Sequence, residues 1–352
     1  MRILLVEDSQ VQQRAFENAV KVLKNKSDIT VEYDIVEDVR GALKAIDGSY
    51  DGAIIDLRLG NDEDGGNEIV RQLGDPFTRI PIIFVTGYVK SVDDQPSVIR
   101  KRGRDDGSYE SDLQLFQGIY DTGLTRIMGG RGDIEKHLTE VFHRNLLPQI
   151  ETWVSYGKED PERTEMALLR YALNHLFQLL EEGGEGCFPE EVYLHPPLLE
   201  GITTGSIVKE KANDQPFVVL SPACDLVLRG QNGKSNTDRI LLVEIESVDD
   251  ALGGSRSKNR VESLVKNRRQ YFHWLPPAYS FEGGVINFRK LNTFIKDEFD
   301  ANFEKPSIQI SPFFVKDIVA RFSSFYARQG QPDIDSSDFV ALYTARQREQ
   351  DN

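Results

Sequence analysis

Glu7, Asp8, Asp56 and Thr86 each stand just past a short apolar run: Arg2-Ile3-Leu4-Leu5-Val6, Ala53-Ile54-Ile55 and Pro81-Ile82-Ile83-Phe84-Val85. Runs this short, bounded by glycine or polar residues, read as buried strands. In open α/β sheets the chemistry collects at the carboxyl ends of parallel strands, which is where these four residues fall. Three carboxylates at one edge repel one another, and each favours protonation in a dry pocket. A divalent cation resolves that conflict. Mg²⁺ takes hard oxygen ligands, keeps several waters and is commonly held by one or two carboxylates plus a phosphate. The Thr86 hydroxyl can bond a phosphoryl oxygen, and Gly87 after it lets the backbone approach. Taken singly, an acid after a strand is as readily a helix N-cap. The ordered set carries the reading, not any one member.

On those residues, positions 1–148 resemble the receiver domain of two-component response regulators, which is CheY-like and flavodoxin-like in fold. The resemblance implies a doubly wound parallel five-stranded sheet with Asp56 as phosphoacceptor and Thr86 at the phosphoryl group. It implies Mg²⁺ held by Glu7, Asp8, Asp56 and the backbone carbonyl of Arg58. It also implies phosphorelay signal transduction, with a sensor histidine kinase or a small phosphodonor as partner, and a phosphoacceptor rather than a turnover enzyme. The pattern breaks at one place. With residues 123–130 read as the last strand, the family's invariant Lys falls on Gly130 and its aromatic switch position on Ile127. Arg131 is the neighbouring cation available for phosphate binding, although a planar guanidinium does not replace an ammonium conservatively. A second reading therefore stays open: a degenerate, non-phosphorylated receiver serving as a protein-interaction scaffold.

The segments around these runs must position them. Residues 9–24 carry Phe16, Val20 and Leu23 at helical spacing, residues 29–36 read as a strand, and residues 39–47 and 67–73 as helices. Such βαβ alternation argues a parallel sheet with helices on both faces. Residues 90–112 are polar, dense in both charges and nearly free of apolar periodicity, so they read as an insertion. Inside it lies the basic cluster Arg100-Lys101-Arg102-Gly103-Arg104, read as a solvated loop. A helix resumes from Leu113 to Tyr120, and residues 133–142 fit the last receiver helix.

The length of 352 residues suggests two or three domains. With 42 basic and 57 acidic residues the net charge is −15, which disfavours nucleic acid as the principal partner. Two cysteines make a disulfide framework improbable, and no apolar segment of signal or membrane length appears, so a cytoplasmic protein is expected. Residues 149–184 read as a helical connector, with Asp160 as N-cap, Pro161 at the first helical position and an apolar face of Met166, Leu169, Leu173, Leu176 and Leu180. Such a stripe is core or the seam of a homodimer.

Residues 185–335 read as a C-terminal α+β domain with a small antiparallel sheet or barrel, followed by a polar tail over 336–352. A basic amphipathic helix is expected over 256–272 and another helix over 313–326. The activity of this half is not legible. Cys224 with His273 as base and Asp225 or Glu244 as orienter would make a nucleophile set, and Cys187, His195, Cys224 and His273 a zinc set. A lone cysteine beside a β-rich core is more often a small buried hydrophobe. Arg260, Arg268, Arg269, Tyr271, Phe272, His273 and Trp274 mix cations with aromatics as single-strand nucleic-acid surfaces do, which leaves a nuclease or nucleic-acid-binding effector as an alternative. An amphipathic helix leading into a core strand gives the same pattern.

Overall fold

Apolar runs with no polar side to solvate must be covered on both faces, and three strands of the first unit are buried almost end to end. These are β1 (Arg2–Val6), β3 (Gly52–Ile55) and β4 (Ile82–Val85); the more exposed β2 (Glu32–Val36) and β5 (Val98–Arg102) close the edges. All pair in parallel, in the order β2-β1-β3-β4-β5. This is the doubly wound flavodoxin-like order, with its crevice at the carboxyl ends of the strands. The computed structural model describes residues 1–340 apart from 47, 74–78, 180–185, 228–234, 255 and 329–334. The chain forms two compact units, Met1–Gly183 and Gly184–Asn352.

Alternate residues of each strand feed opposite layers. Leu4, Val6, Ile55 and Phe84 pack on α2 (Val39–Ala45) and α3 (Gly65–Leu73) through Ala42, Ile69 and Val70. Ile3, Leu5, Ile54 and Ile83 pack on α1 (Gln10–Ser27) and α4 (Tyr109–Asp121) through Phe16, Leu23 and Phe116.

Two expectations are corrected here. The segment read as an insertion contains β5, so the sheet is completed at residues 98–102. Residues 123–130 are not the last strand: Leu124–Met128 is a short helix, α5, entered from Gly123 in the left-handed region at φ 82°. Leu124, Ile127 and Met128 recur at helical spacing, and the sheet edge beside β4 is already taken by β5. The link from β4 to β5 is reduced to a single 3₁₀ turn, Val89–Ser91.

The first unit continues through α6 (Asp133–Val141), α7 (Ile150–Glu159) and α8 (Pro161–Gln178). The start of α8 is as its sequence reads, since the Asp160 side chain accepts from the Arg163 amide and Pro161 opens the helix. Trp153 meets Tyr171 edge-on at 5.8 Å between α7 and α8. Met166, Leu169 and Leu173 stay about half exposed; Leu180 and the tail beyond residue 340 lie outside the described residues.

The second unit is one antiparallel sheet of seven strands: β6 (Tyr193–Leu194), β7 (Ser206–Lys209), β8 (Pro216–Val219), β9 (Arg239–Glu246), β10 (Phe272–Leu275), β11 (Gly284–Ile295) and β12 (Ile308–Ile310). Their order is β10-β11-β9-β8-β7-β12-β6. Short helices α9 (Ala223–Leu226), α10 (Val248–Leu252), α11 (Lys258–Val265) and α12 (Lys296–Asn302) border it. The long α13 (Pro312–Tyr326) lays Phe314, Val315, Ile318 and Phe322 on a core of Val218, Val243, Ile245, Ile286 and Phe288. The helix expected over 256–272 is shorter, because Phe272 already belongs to β10.

His273 is buried on β10 and its Nδ1 has no hydrogen-bond partner. Burial, reinforced by the Arg321 guanidinium, lowers it from an ordinary 6.5 to about 4. The Asp317 carboxylate 3.7 Å away is therefore no ion-pair partner at neutral pH. The folded state keeps the ring neutral while the unfolded chain takes up a proton below about 6.5. The second unit should thus lose stability as pH falls from 6.5 towards 4, by at most roughly 3 kcal/mol from this group. Urea unfolding of the wild type and His273→Gln across that window checks it; parallel curves for the two proteins contradict it.

Candidate functional site

The carboxyl ends of β1, β3 and β4 bring four of the expected side chains together. Asp56 follows β3, with its amide bonded to the Val6 carbonyl at 2.9 Å, so β1 holds the base of the acceptor loop. Its Oδ1 accepts from the Leu57 amide at 2.9 Å. Glu7 follows β1, bonded through its amide to Val36 of β2, and its Oε1 accepts from the Ser9 amide at 3.0 Å. Asp8 is exposed at the rim and accepts from the Gly60 amide at 2.8 Å, tying the end of β1 to the loop after β3. Thr86 is fully buried at the end of β4, its amide bonded to the Arg102 carbonyl at 3.1 Å. One carboxylate oxygen each of Glu7, Asp8 and Asp56 lies within 4.8 Å of the others. The acidic turn over 61–66 closes on this site at a glycine: a Cβ at Gly66 would collide with the Asp56 carbonyl oxygen and the Phe84 ring.

Burial dominates the electrostatics. Desolvation pushes Glu7 up to about 7, against the pull of the Ser9 amide and with the help of the nearby Asp56 charge. Asp56 is also raised by desolvation, with the Thr86 hydroxyl, Arg104 and the Leu57 amide working to lower it. The pocket thus holds more negative charge than its donors satisfy. A cluster of hard oxygens with that deficit suits a small divalent cation.

The cation that does reach the pocket is one the sequence reading missed. Arg104 donates through Nη2 to Asp56 Oδ2 at 2.7 Å and lies 3.4 Å from Glu7 Oε1. It leaves the strand end only two residues after Arg102, which donates through Nε and Nη2 to Asp112 Oδ2 at 2.8 and 2.6 Å. Both members of that pair are buried, and Arg102 also lies 5.2 Å from the Tyr109 ring. A buried two-pronged bond fixes the strand end, and the strand end aims Arg104. Arg100 and Lys101 are likewise taken up by Asp112 and Asp94, so the basic cluster is turned to internal pairs.

Arg131 is not part of this assembly. It lines a cleft with Arg2, Gly48, Tyr50 and Asp51, at the amino ends of β1 and β3 and so at the far edge of the sheet. Arg58, two residues past Asp56, stacks its guanidinium 3.5 Å from the Tyr88 ring centre and lies 3.7 Å from Glu63. In the second unit, Cys187 and Cys224 are both exposed, which overturns the reading of Cys224 as a small buried hydrophobe. Neither the Cys–His set nor any other acid, Cys and His group there converges as Glu7, Asp8 and Asp56 do, among the described residues. No described helix is long and apolar enough to cross a membrane.

No protein-family model and no curated protein matches the chain. Solved structures do, over about a third of it. A CheY-like response regulator receiver domain from Methylobacillus flagellatus is 23% identical over 33% of this chain and 98% of that one, at a TM-score of 0.28. A response regulator receiver protein from Pseudoalteromonas atlantica is 18% identical over 34% of this chain and 99% of that one, at 0.26. A sensor protein from Polaromonas sp. JS666 is 19% identical over 34% and 96%, at 0.29. The first unit is receiver-like in its own strand order, and the acidic pocket sits where that order opens its crevice.

Asp112→Ala leaves the buried Arg102 guanidinium unpaired and should destabilise the first unit by about 3–5 kcal/mol. Urea unfolding followed by Trp153 fluorescence measures this; a loss under about 1 kcal/mol would make the pair dispensable to the strand end.

Proposed function

We propose that the first unit is a response-regulator-like receiver that accepts a phosphoryl group on Asp56. The observation that carries this is the convergence of Glu7, Asp8 and Asp56 with Arg104 at the carboxyl ends of parallel strands. A lone pair on an Asp56 carboxylate oxygen forms the new bond to phosphorus. The bond from phosphorus to a phosphohistidine nitrogen or an acyl oxygen breaks, and the leaving nitrogen or oxygen departs with the electron pair of that broken bond. Glu7, Asp8, Asp56 and the Arg58 carbonyl would hold Mg²⁺, whose charge, once bound, offsets the negative charge gathering between phosphoryl oxygens and carboxylates. Thr86 donates its hydroxyl to a phosphoryl oxygen. Arg104 takes the part for which the sequence offered Arg131: its charge favours the ionised form of Asp56 beforehand, against desolvation, and it meets the transferred group afterwards. A sensor histidine kinase or a small phosphodonor supplies the group. Because Arg104 extends from a strand end clamped by Arg102 and Asp112, its re-aiming on phosphorylation would reach α4 and change the surface offered to a protein partner.

One observation favours the second reading, a scaffold that is never phosphorylated: Arg104 already supplies positive charge to Asp56 and Glu7 without any donor. Acetyl phosphate with saturating Mg²⁺ separates the two. The wild type should gain one phosphoryl group by mass, labile to hydroxylamine and absent from Asp56→Asn. Arg104→Ala should slow the gain by about tenfold or more, and Arg131→Ala should leave it unchanged. A wild type that stays unmodified would leave the scaffold.

A further inference from the structure

Residues 256–274 hold six cations and one acid, Glu262, in a chain of net charge −15. Arg256 pairs with Asp249, while Lys258 and Lys266 share Glu262 at 3.9 and 4.0 Å. Arg260, Arg268 and Arg269 pair with no acid among the described residues. This differs from the cluster at 100–104, whose arginines and lysine are spent on internal pairs.

The turn at 266–271, between α11 and β10, is built and not loose. Arg321 comes from α13 beneath it and donates through Nη2 to the carbonyl oxygens of Asn267, Arg269 and Phe272 at 2.8, 3.1 and 3.0 Å. Asn267 sits in the left-handed region at φ 52°, and its side chain accepts from the Trp274 amide at 2.7 Å. With those carbonyls drawn inward to a cation, the amides of residues 269–271 find no acceptor among the described residues. Two further arginines close on the turn from other elements. Arg328 donates to Gln270 Oε1 at 2.8 Å, and Arg289 of β11 lies 4.0 Å from the Tyr271 ring centre. Lys266, Arg268 and Gln270 are exposed, while Tyr271 and Trp274 are partly so.

Exposed and part-exposed cations and unmet amide donors on one pinned turn, with the part-exposed rings of Tyr271 on the turn and Trp274 just beyond it on β10, both resting on the core beneath, match a strand of phosphates carrying bases. Cations and amides take the phosphates, and rings stack on bases without regard to sequence. An acidic peptide would use the cations and have no use for the rings. Duplex would keep its bases from them. We propose that this turn binds single-stranded nucleic acid, with phosphates on Lys266, Arg268 and Arg269 and bases against Tyr271 and Trp274. The negative charge of the remaining chain repels a long polyanion, so the contact is short and salt-sensitive. It uses residues of the second unit only, and stands or falls independently of Asp56.

The test is fluorescence anisotropy of the full chain with labelled single-stranded RNA and DNA of about twelve nucleotides, across a salt series. The wild type should bind at low salt. The Arg268→Ala/Arg269→Ala pair should bind at least about tenfold more weakly, with the log–log salt slope reduced by about 1.4, as for two lost phosphate contacts. Tyr271→Leu should weaken binding roughly fivefold or more while the two-arginine slope is retained. Melting temperatures of the variants report that the fold is intact, and Arg260→Ala with Lys266→Ala serves as a second pair should the first unfold. Failure of the wild type to bind either strand, variants that bind as the wild type does, or equal displacement by polyglutamate of matched charge would each overturn the proposal. The last would assign the turn to an acidic protein.

Discussion

Two carboxyl groups buried at neighbouring strand ends, with a third at the rim, set a charge problem that the first unit is arranged around. Removing such groups from water costs each several kcal/mol unless a partner restores the lost solvation, and here the partners fall short. Glu7 is driven up to about 7 and Asp56 is raised, in spite of the amides of Ser9 and Leu57 and the guanidinium of Arg104. A stable fold has no need of this arrangement. Apolar side chains at the two buried positions, Glu7 and Asp56, would pack without that penalty, which is why the residual deficit points to an incoming cation and to chemistry.

The cost is met through a chain of dependencies that runs across the sheet. Arg104 reaches Asp56 because the end of β5 is fixed, and the end of β5 is fixed because Arg102 is held in a buried bond to Asp112 of α4. One ion pair thus supports another on the far side of a strand. The same wiring makes α4 the element best placed to register a change in charge at Asp56. The helix is anchored to the sheet by Phe116 and Tyr109 and to the site by Asp112.

That dependency also explains what could be read from the sequence and what could not. The strands ending in Glu7, Asp56 and Thr86 were legible because each is apolar throughout and each ends abruptly in a polar residue. The opening of α8 was legible because Asp160 and Pro161 are local signals. β5 was not, because its buried inward position is an arginine whose acidic partner lies ten residues on; no periodicity marks such a strand. With β5 hidden, the apolar residues within 123–130 read as the last strand, and that register makes Arg131 the neighbouring cation. Of the second unit's seven strands, β6, β7, β8, β9 and the start of β11 show in the sequence as short apolar runs between turns, whereas β12 is only three residues long and carries no such signal. The pinning of the 266–271 turn by Arg321 was not, since the arginine sits about fifty residues away in sequence and bonds only to backbone.

If the acidic rim seats a cation and receives a phosphoryl group, a crystal grown with Mg²⁺ and beryllofluoride, which stands in for the phosphoryl group on a carboxylate, will show both. Density is expected for a metal against Glu7, Asp8 and Asp56, for beryllofluoride joined to Asp56, and for fluorines bonded by Thr86 and Arg104. Density that leaves Asp56 bare, with the Arg104–Asp56 pair intact in the presence of both ligands, would contradict that role.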